Sequence, residues 1–178
     1  MGAACDHHLG RLASHPGLML NATTVLREDD VRRIQTSVDT LVRNANAKVV
    51  FLVDKAGQLI ASSGELDQLD TTSLASLTAG NIAATGGIAK LLRENEFATQ
   101  FHEGKNAHIH LQVIYNRVIL VVIFDAKSSL GLVRLRVRKT TEELSQVFEQ
   151  LSQRPLSTRD GSPFAEITDE DIDNLFND

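Results

Sequence analysis

The sequence predicts a mixed domain of α/β or α+β class, and three observations carry that expectation. Apolar residues recur at helical spacing at Val31, Ile34, Val38, Leu41 and Val42. Short strand-like runs follow, such as Lys48–Val53 (KVVFLV) and Val118–Phe124 (VILVVIF). The chain of 178 residues is 42% hydrophobic and 23% charged, enough apolar material for one buried core.

Each element has its own justification. Asp29 and Asp30 suit a helix start, where carboxylates meet free N–H groups and the positive end of the dipole. Asn44 and Asn46 bracket that helix's end. Lys48–Val53 and Gln58–Ser63 form a hairpin across Asp54-Lys55-Ala56-Gly57, with Gly57 suited to positive φ. Thr71–Glu94 is the next helix, with Asp70 as its N-cap. Its Leu74, Leu77, Asn81, Ala84, Ile88 and Leu91 share one face, assigned here to the sheet. Ala98–Glu103 is polar, as an edge strand is. His108–Tyr115 alternates, turns at Asn116-Arg117, and leads into Val118–Phe124, which is apolar throughout and so central. In Ser128–Ser152 a strand-like alternation over Leu132–Arg138 is outweighed by a helical stripe. That stripe is Leu130, Val133, Val137, Leu144, Val147, Phe148 and Leu151, with Ser128 or Ser129 as cap. The predicted order is α–β–β–α–β–β–β–α.

The expected organisation is a disordered N-terminal extension over residues 1–28, a domain over 29–152, a linker over 153–163 and an acidic amphipathic tail helix over 164–178. Residues 1–18 precede an internal Met19, and an upstream start codon would explain them as an extension.

The net charge of −5 is unevenly distributed. Residues 158–178 hold Arg159 against Asp160, Glu166, Asp169, Glu170, Asp171, Asp173 and Asp178, so the tail is strongly acidic and the body near neutral. A near-neutral body argues against binding nucleic acid through phosphates. One cysteine excludes an internal disulfide framework. The apolar runs are too short for membrane insertion. Without a signal-peptide pattern near Met1, a cytoplasmic protein is expected.

Catalytic and cofactor chemistry finds no motif. Gly80, Gly86 and Gly87 lack the phosphate-loop pattern and lie inside a predicted helix. His102, His108 and His110 are residue types that bind zinc, but no Cys or Asp stands at ligand spacing, and exposed polar positions at a sheet edge explain them better. Cys5, His7, His8 and His15 fall in the expected disordered leader. Asp54 and Asp125 follow strands, where turn and capping roles suffice. No catalytic residue, cofactor or metal site is expected.

Surfaces carry more information. Ser76, Gly80, Ala83 and Gly87 line one face of the helix 71–94, beside Ala75 and Ala79. Glycine costs a helix interior about 1 kcal/mol relative to alanine, so a smooth face calls for a reason. With the leucine face assigned to the sheet, the small face is expected to meet a partner. Arg134, Arg136, Arg138 and Lys139 form a basic cluster, by default a solvated face, but also a place for the acidic tail or an anionic partner. In the tail, Thr168-Asp169-Glu170-Asp171 resembles a capping box, and Ile172, Leu175 and Phe176 follow at helical spacing. Such a short amphipathic helix folds against another surface.

The strings NAKVVFLVDKAGQLIASSG, DTTSLASLTAGNIAATGGIAKLL, NEFATQFHEG and SSLGLVRLRVRK resemble the Roadblock/light-chain superfamily, closest to its bacterial gliding-motility branch. The resemblance covers about Asp29–Gln150 and continues into SPFAEITDEDIDNLF. It implies an α+β fold, an α/β/α sandwich in which a five-stranded antiparallel sheet has one long helix on one face and two on the other. It also implies a homodimer in which sheets and long helices pair. The implied partner is a small Ras-like GTPase (MglA type), whose hydrolysis such proteins stimulate without an arginine finger, by positioning the GTPase's own catalytic and switch residues. Carried onto this chain, the resemblance places Ser76, Gly80, Ala83, Ala84 and Gly87 at the GTPase surface. Ile172, Leu175 and Phe176 of the tail become a second contact. It further implies a role in cell polarity, polar-localisation partners and enrichment at a cell pole. A non-catalytic polarity scaffold that binds the GTPase without accelerating it is the alternative.

Overall fold

The computed structural model describes residues 26–67 and 69–154. Residues 1–25 of the expected extension, most of the linker and the tail helix lie outside the described residues. Residues 26–28 instead belong to the folded domain, with Leu26 buried in the core and Glu28 opening the first helix. The elements are α1 (Glu28–Ala45), β1 (Val49–Asp54), β2 (Leu59–Gly64), α2 (Thr71–Leu91), β3 (Thr99–Glu103), β4 (His108–Ile114), β5 (Val118–Phe124) and α3 (Leu130–Gln153). Their order is the predicted one. The strands form one antiparallel sheet in the order β2-β1-β5-β4-β3. Apolar β5 is central and polar β3 is an edge strand, as expected.

Alternation along the strands sends side chains to two layers. One face carries Val50, Leu52, Leu120, Val122 and Phe124, which pack with Ile34, Val38 and Leu41 of α1 and Val133, Val137, Leu144, Val147 and Phe148 of α3. The other carries Val49, Phe51, Val53, Leu111, Ile119 and Val121 under α2.

Local chemistry sets the boundaries. The Asp30 carboxylate accepts from the Arg27 backbone N–H at 3.1 Å at the start of α1, and Asn46 ends that helix in the left-handed region at φ 50°. In the β1–β2 turn the Asp54 carboxylate accepts from the N–H groups of Ala56 and Gln58 at 2.9 and 2.8 Å. Gly57 has φ 85°, and a Cβ there would lie 3.0 Å from Ser76 Cα, so only glycine lets α2 come this close. Asp70 caps α2 by accepting from Ser73 N–H at 3.0 Å. Arg93, at φ 62°, takes the left-handed position usually held by glycine, so α2 stops at Leu91, before the predicted Glu94. Of the two candidate caps for α3, Ser129 serves, accepting from Leu132 N–H at 3.2 Å.

The β4–β5 turn is centred one residue earlier than expected. Tyr115 and Asn116 both have φ 50°, and Arg117 N–H donates to Ile114 C=O at 3.0 Å. Two successive positive φ angles match the right-handed twist of a tight hairpin.

The two ends of the α1/α3 layer are clasped. The Arg154 guanidinium donates to both Asp30 carboxylate oxygens, at 2.5 and 2.9 Å. At the opposite end Ser128 Oγ donates to Ala45 C=O and Asn46 Nδ2 donates to Lys127 C=O. Burial works against the Asp30 charge, but the bonds from Arg154 and from Arg27 N–H together outweigh it and hold the carboxyl below its usual range.

Candidate functional site: the outward face of helix α2

The assignment of α2's leucine face to the sheet is overturned. Ala75, Ala79 and Ala89 are the buried residues of α2, with Leu74 and Ile82 half-buried beside them. Leu77 is 72% exposed, Ile88 51% and Leu91 85%. The helix carries apolar residues almost all round, so periodicity alone could not tell which stripe meets the sheet. Packing decided it. Alanine lets the helix axis approach the strands, and Leu77, Ile88 and Leu91 are left outside.

The predicted small residues Ser76, Gly80, Ala83, Ala84 and Gly87 are all exposed. Nothing lies within 4 Å of a Cβ built on Gly80, Gly86 or Gly87. Contacts within the described residues therefore do not require glycine at these three positions, and close packing against the chain's own sheet does not explain them.

At about 100° per residue, the outward face resolves into three parallel stripes. Ser76, Gly80, Ala83 and Gly87 form a smooth stripe. Leu77, Ala84, Ile88 and Leu91 form an apolar stripe next to it, so Ala84 groups with the leucines rather than with the glycines. Beyond it, Asn81 and Thr85 form a polar flank tied to edge strand β3. Asn81 Nδ2 donates to Gln100 Oε1 at 3.2 Å and lies 3.1 Å from His102 Nε2. Gln100 Nε2 donates to Thr85 Oγ1 at 2.7 Å.

The smooth stripe borders a cleft of about 340 Å³. Ala83, Gly86, Gly87 and Lys90 line one wall, and Phe97, Val113, Lys55 and Asn116 line the rest. The Lys55 ammonium donates to Asn116 Oδ1, bridging the β1–β2 and β4–β5 turns. The cleft holds no paired carboxylates or other convergent set of catalytic groups.

The histidines do not converge. His110 is 1% exposed on the α1/α3 face of β4, a correction to its expected exposure at the sheet edge. It pairs with Val122 in register, and strand alternation turns it under α3. Burial, with a smaller effect from Arg134, holds its pKa below the ordinary histidine value. His108 packs tilted against both Phe101 and Phe124, with ring centroids 6.0 and 5.3 Å away. His102 lies on the opposite, α2 side. Among the described residues no group of three His, Cys, Asp or Glu side chains is placed to hold a metal. No helix among them is long and apolar enough to cross a membrane. The tail residues Ile172, Leu175 and Phe176 lie outside the described residues.

This open sheet, with one helix on one side and two on the other, defines a Roadblock-type α/β sandwich. The chain belongs to the Roadblock/LC7 family, whose domain pattern matches residues 33–124. Among solved structures it is similar to Myxococcus xanthus MglB, with 55% identity over 73% of this chain and 98% of that one, at a TM-score of 0.70. It is also similar to the gliding protein MglB from Thermus thermophilus, with 29% identity over 71% and 96% of the two chains, at a TM-score of 0.68. A third structure, described as MglB with a tetrameric arrangement, is 28% identical over 72% and 96%, with a TM-score of 0.68. No curated protein matches the chain.

Proposed function

We propose that this protein is a homodimeric activator of a small Ras-like GTPase of the MglA type, acting in gliding motility and cell polarity. It has no active site of its own in this reading. The exposed α2 face carries the proposal. Leucine and isoleucine are left in solvent there, beside glycines that the described contacts do not require. The similarity to MglB structures supports the motility assignment.

The three stripes divide the labour. The apolar stripe lies between the smooth stripe and β3, whose outer edge has no strand partner in the described sheet. A second copy that adds its β3 to this edge brings its α2 alongside and covers Leu77, Ile88 and Leu91. The two smooth stripes then flank the paired helices and receive the GTPase at Ser76, Gly80, Ala83 and Gly87, with Ala84 at the seam. Ile172, Leu175 and Phe176 of the tail add the second contact.

Activation proceeds by population shift. The dimer binds the hydrolysis-competent arrangement of the switch regions better than the resting one, and each tenfold gain in rate needs about 1.4 kcal/mol of preference. An arginine finger has no support on this face. Among the described residues, the α2 stripes contain no arginine, and Arg134, Arg136 and Arg138 sit on α3, across the sheet. Phosphate release by the cognate GTPase, measured with and without the protein, tests the reading. Acceleration is expected. Binding without acceleration would reduce the role to a polarity scaffold.

A further inference from the structure

The basic face of α3 is left unused by that function. Residues 130–141 contain Arg134, Arg136, Arg138 and Lys139 and no acid. The first turn of α3 has no acidic residue to neutralise the positive end of the helix dipole. Arg138 makes an exposed ion pair with Glu142 at 3.6 Å. Arg134, Arg136 and Lys139 form no hydrogen bond or ion pair with any described residue, and Arg136 Nε is buried without a partner. Leu135 stands among these cations at 62% exposure, an apolar spot framed by positive charge.

The chain holds a segment of matching chemistry. Residues 164–178 carry six acids, no Lys or Arg, and the apolar trio Ile172, Leu175 and Phe176. The path is short enough. Arg138 and Arg134 lie 15 and 19 residues before Gln153, or about 22 and 29 Å back along the helix. Residues 155–167 span up to about 43 Å when extended, so the tail can fold back antiparallel along α3. The α2 face is a poorer match in charge, since Lys90 is the only cation within that helix.

We propose that in the free protein residues 168–176 dock on the α3 face of their own chain. The acids of this segment lie against Arg134, Arg138 and Lys139, and its apolar side chains cover Leu135. The same side chains are those assigned above to the GTPase, so docking withholds them until a partner competes. The docked state itself does not depend on the GTPase assignment, and its test uses no GTPase.

The experiment is paramagnetic relaxation on the full-length chain, with Asn174→Cys spin-labelled in a Cys5→Ser background and backbone amides observed. Loss of amide intensity is expected over residues 131–139 and not on the outward face of α2. That loss should disappear in about 1 M salt, where charges are screened beyond about 3 Å. It should also disappear in Arg134→Glu/Arg138→Glu, two exposed positions whose change leaves the core intact. Loss of intensity on α2, or on no part of the body, would overturn the proposal. So would equally strong broadening in mixed samples, where label and isotope sit on different protomers.

Discussion

The two faces of the sheet are covered in opposite ways. On one, α1 and α3 insert Ile34, Leu41, Leu144 and Phe148 and are clasped at both ends by side-chain bonds. On the other, α2 offers the sheet three alanines with Leu74 and Ile82 half-buried beside them, and turns Leu77, Ile88 and Leu91 to solvent. Burying an alanine gains far less than the roughly 1.5–3 kcal/mol of a large aliphatic or aromatic side chain. The first layer therefore holds the fold, and the second leaves apolar surface exposed.

Substitutions should separate the two layers. The largest effect is expected from Phe148→Ala, which empties a fully buried site and should cost about 3–5 kcal/mol in denaturant unfolding. Leu91→Ala should leave stability within about 0.5 kcal/mol and instead weaken dimerisation, read by sedimentation. A comparable stability loss for both would erase the distinction.

Asp30→Ala should cost about 3 kcal/mol, because it strands Arg154 and uncaps α1. Asp30 titrates lower in the folded state, so its contribution is complete above the ordinary carboxylate pKa. It fades as pH falls from there through the lowered folded value. Acid unfolding of the variant should lack that part of the pH slope.

His110 supplies a dependence of the same sign. Its folded pKa is lowered, so its contribution is full above about pH 6.5 and is lost as pH falls from there through the folded value. Stability of His110→Leu, followed between pH 7 and 5, should be flatter than that of the parent.

On the smooth stripe the expected stability change is small and of opposite sign. Gly80→Ala should stabilise by about 0.5–1 kcal/mol, since the helix gains propensity and the new Cβ meets nothing. Gly87→Arg and Ala83→Arg should likewise leave folding intact while abolishing GTPase binding. Unchanged affinity in both would remove the smooth stripe from the interface.

Element order was legible because caps and periods agreed. Asp70, Ser129, Gly57 and Asn46 each mark a boundary by a local mechanism that needs no tertiary information. The face of α2 was not legible, because it holds two apolar stripes and the winner depends on how closely an alanine-faced helix approaches the strands. The burial of His110 follows from strand register, and the Asp30–Arg154 clasp joins residues 124 positions apart. Neither leaves a local trace. The smooth stripe was recognised because glycine in a helix is costly enough to need a cause.

The Asp30–Arg154 clasp also fixes where the domain's two ends stand. The chain enters and leaves at one point on the α1/α3 side. The first and last described residues, 26 and 154, therefore stand together on the side of the sheet away from α2. A short linker joining residues 26 and 154, with new ends opened in an exposed turn such as 104–107, should yield a circular permutant with an unaltered α2 face.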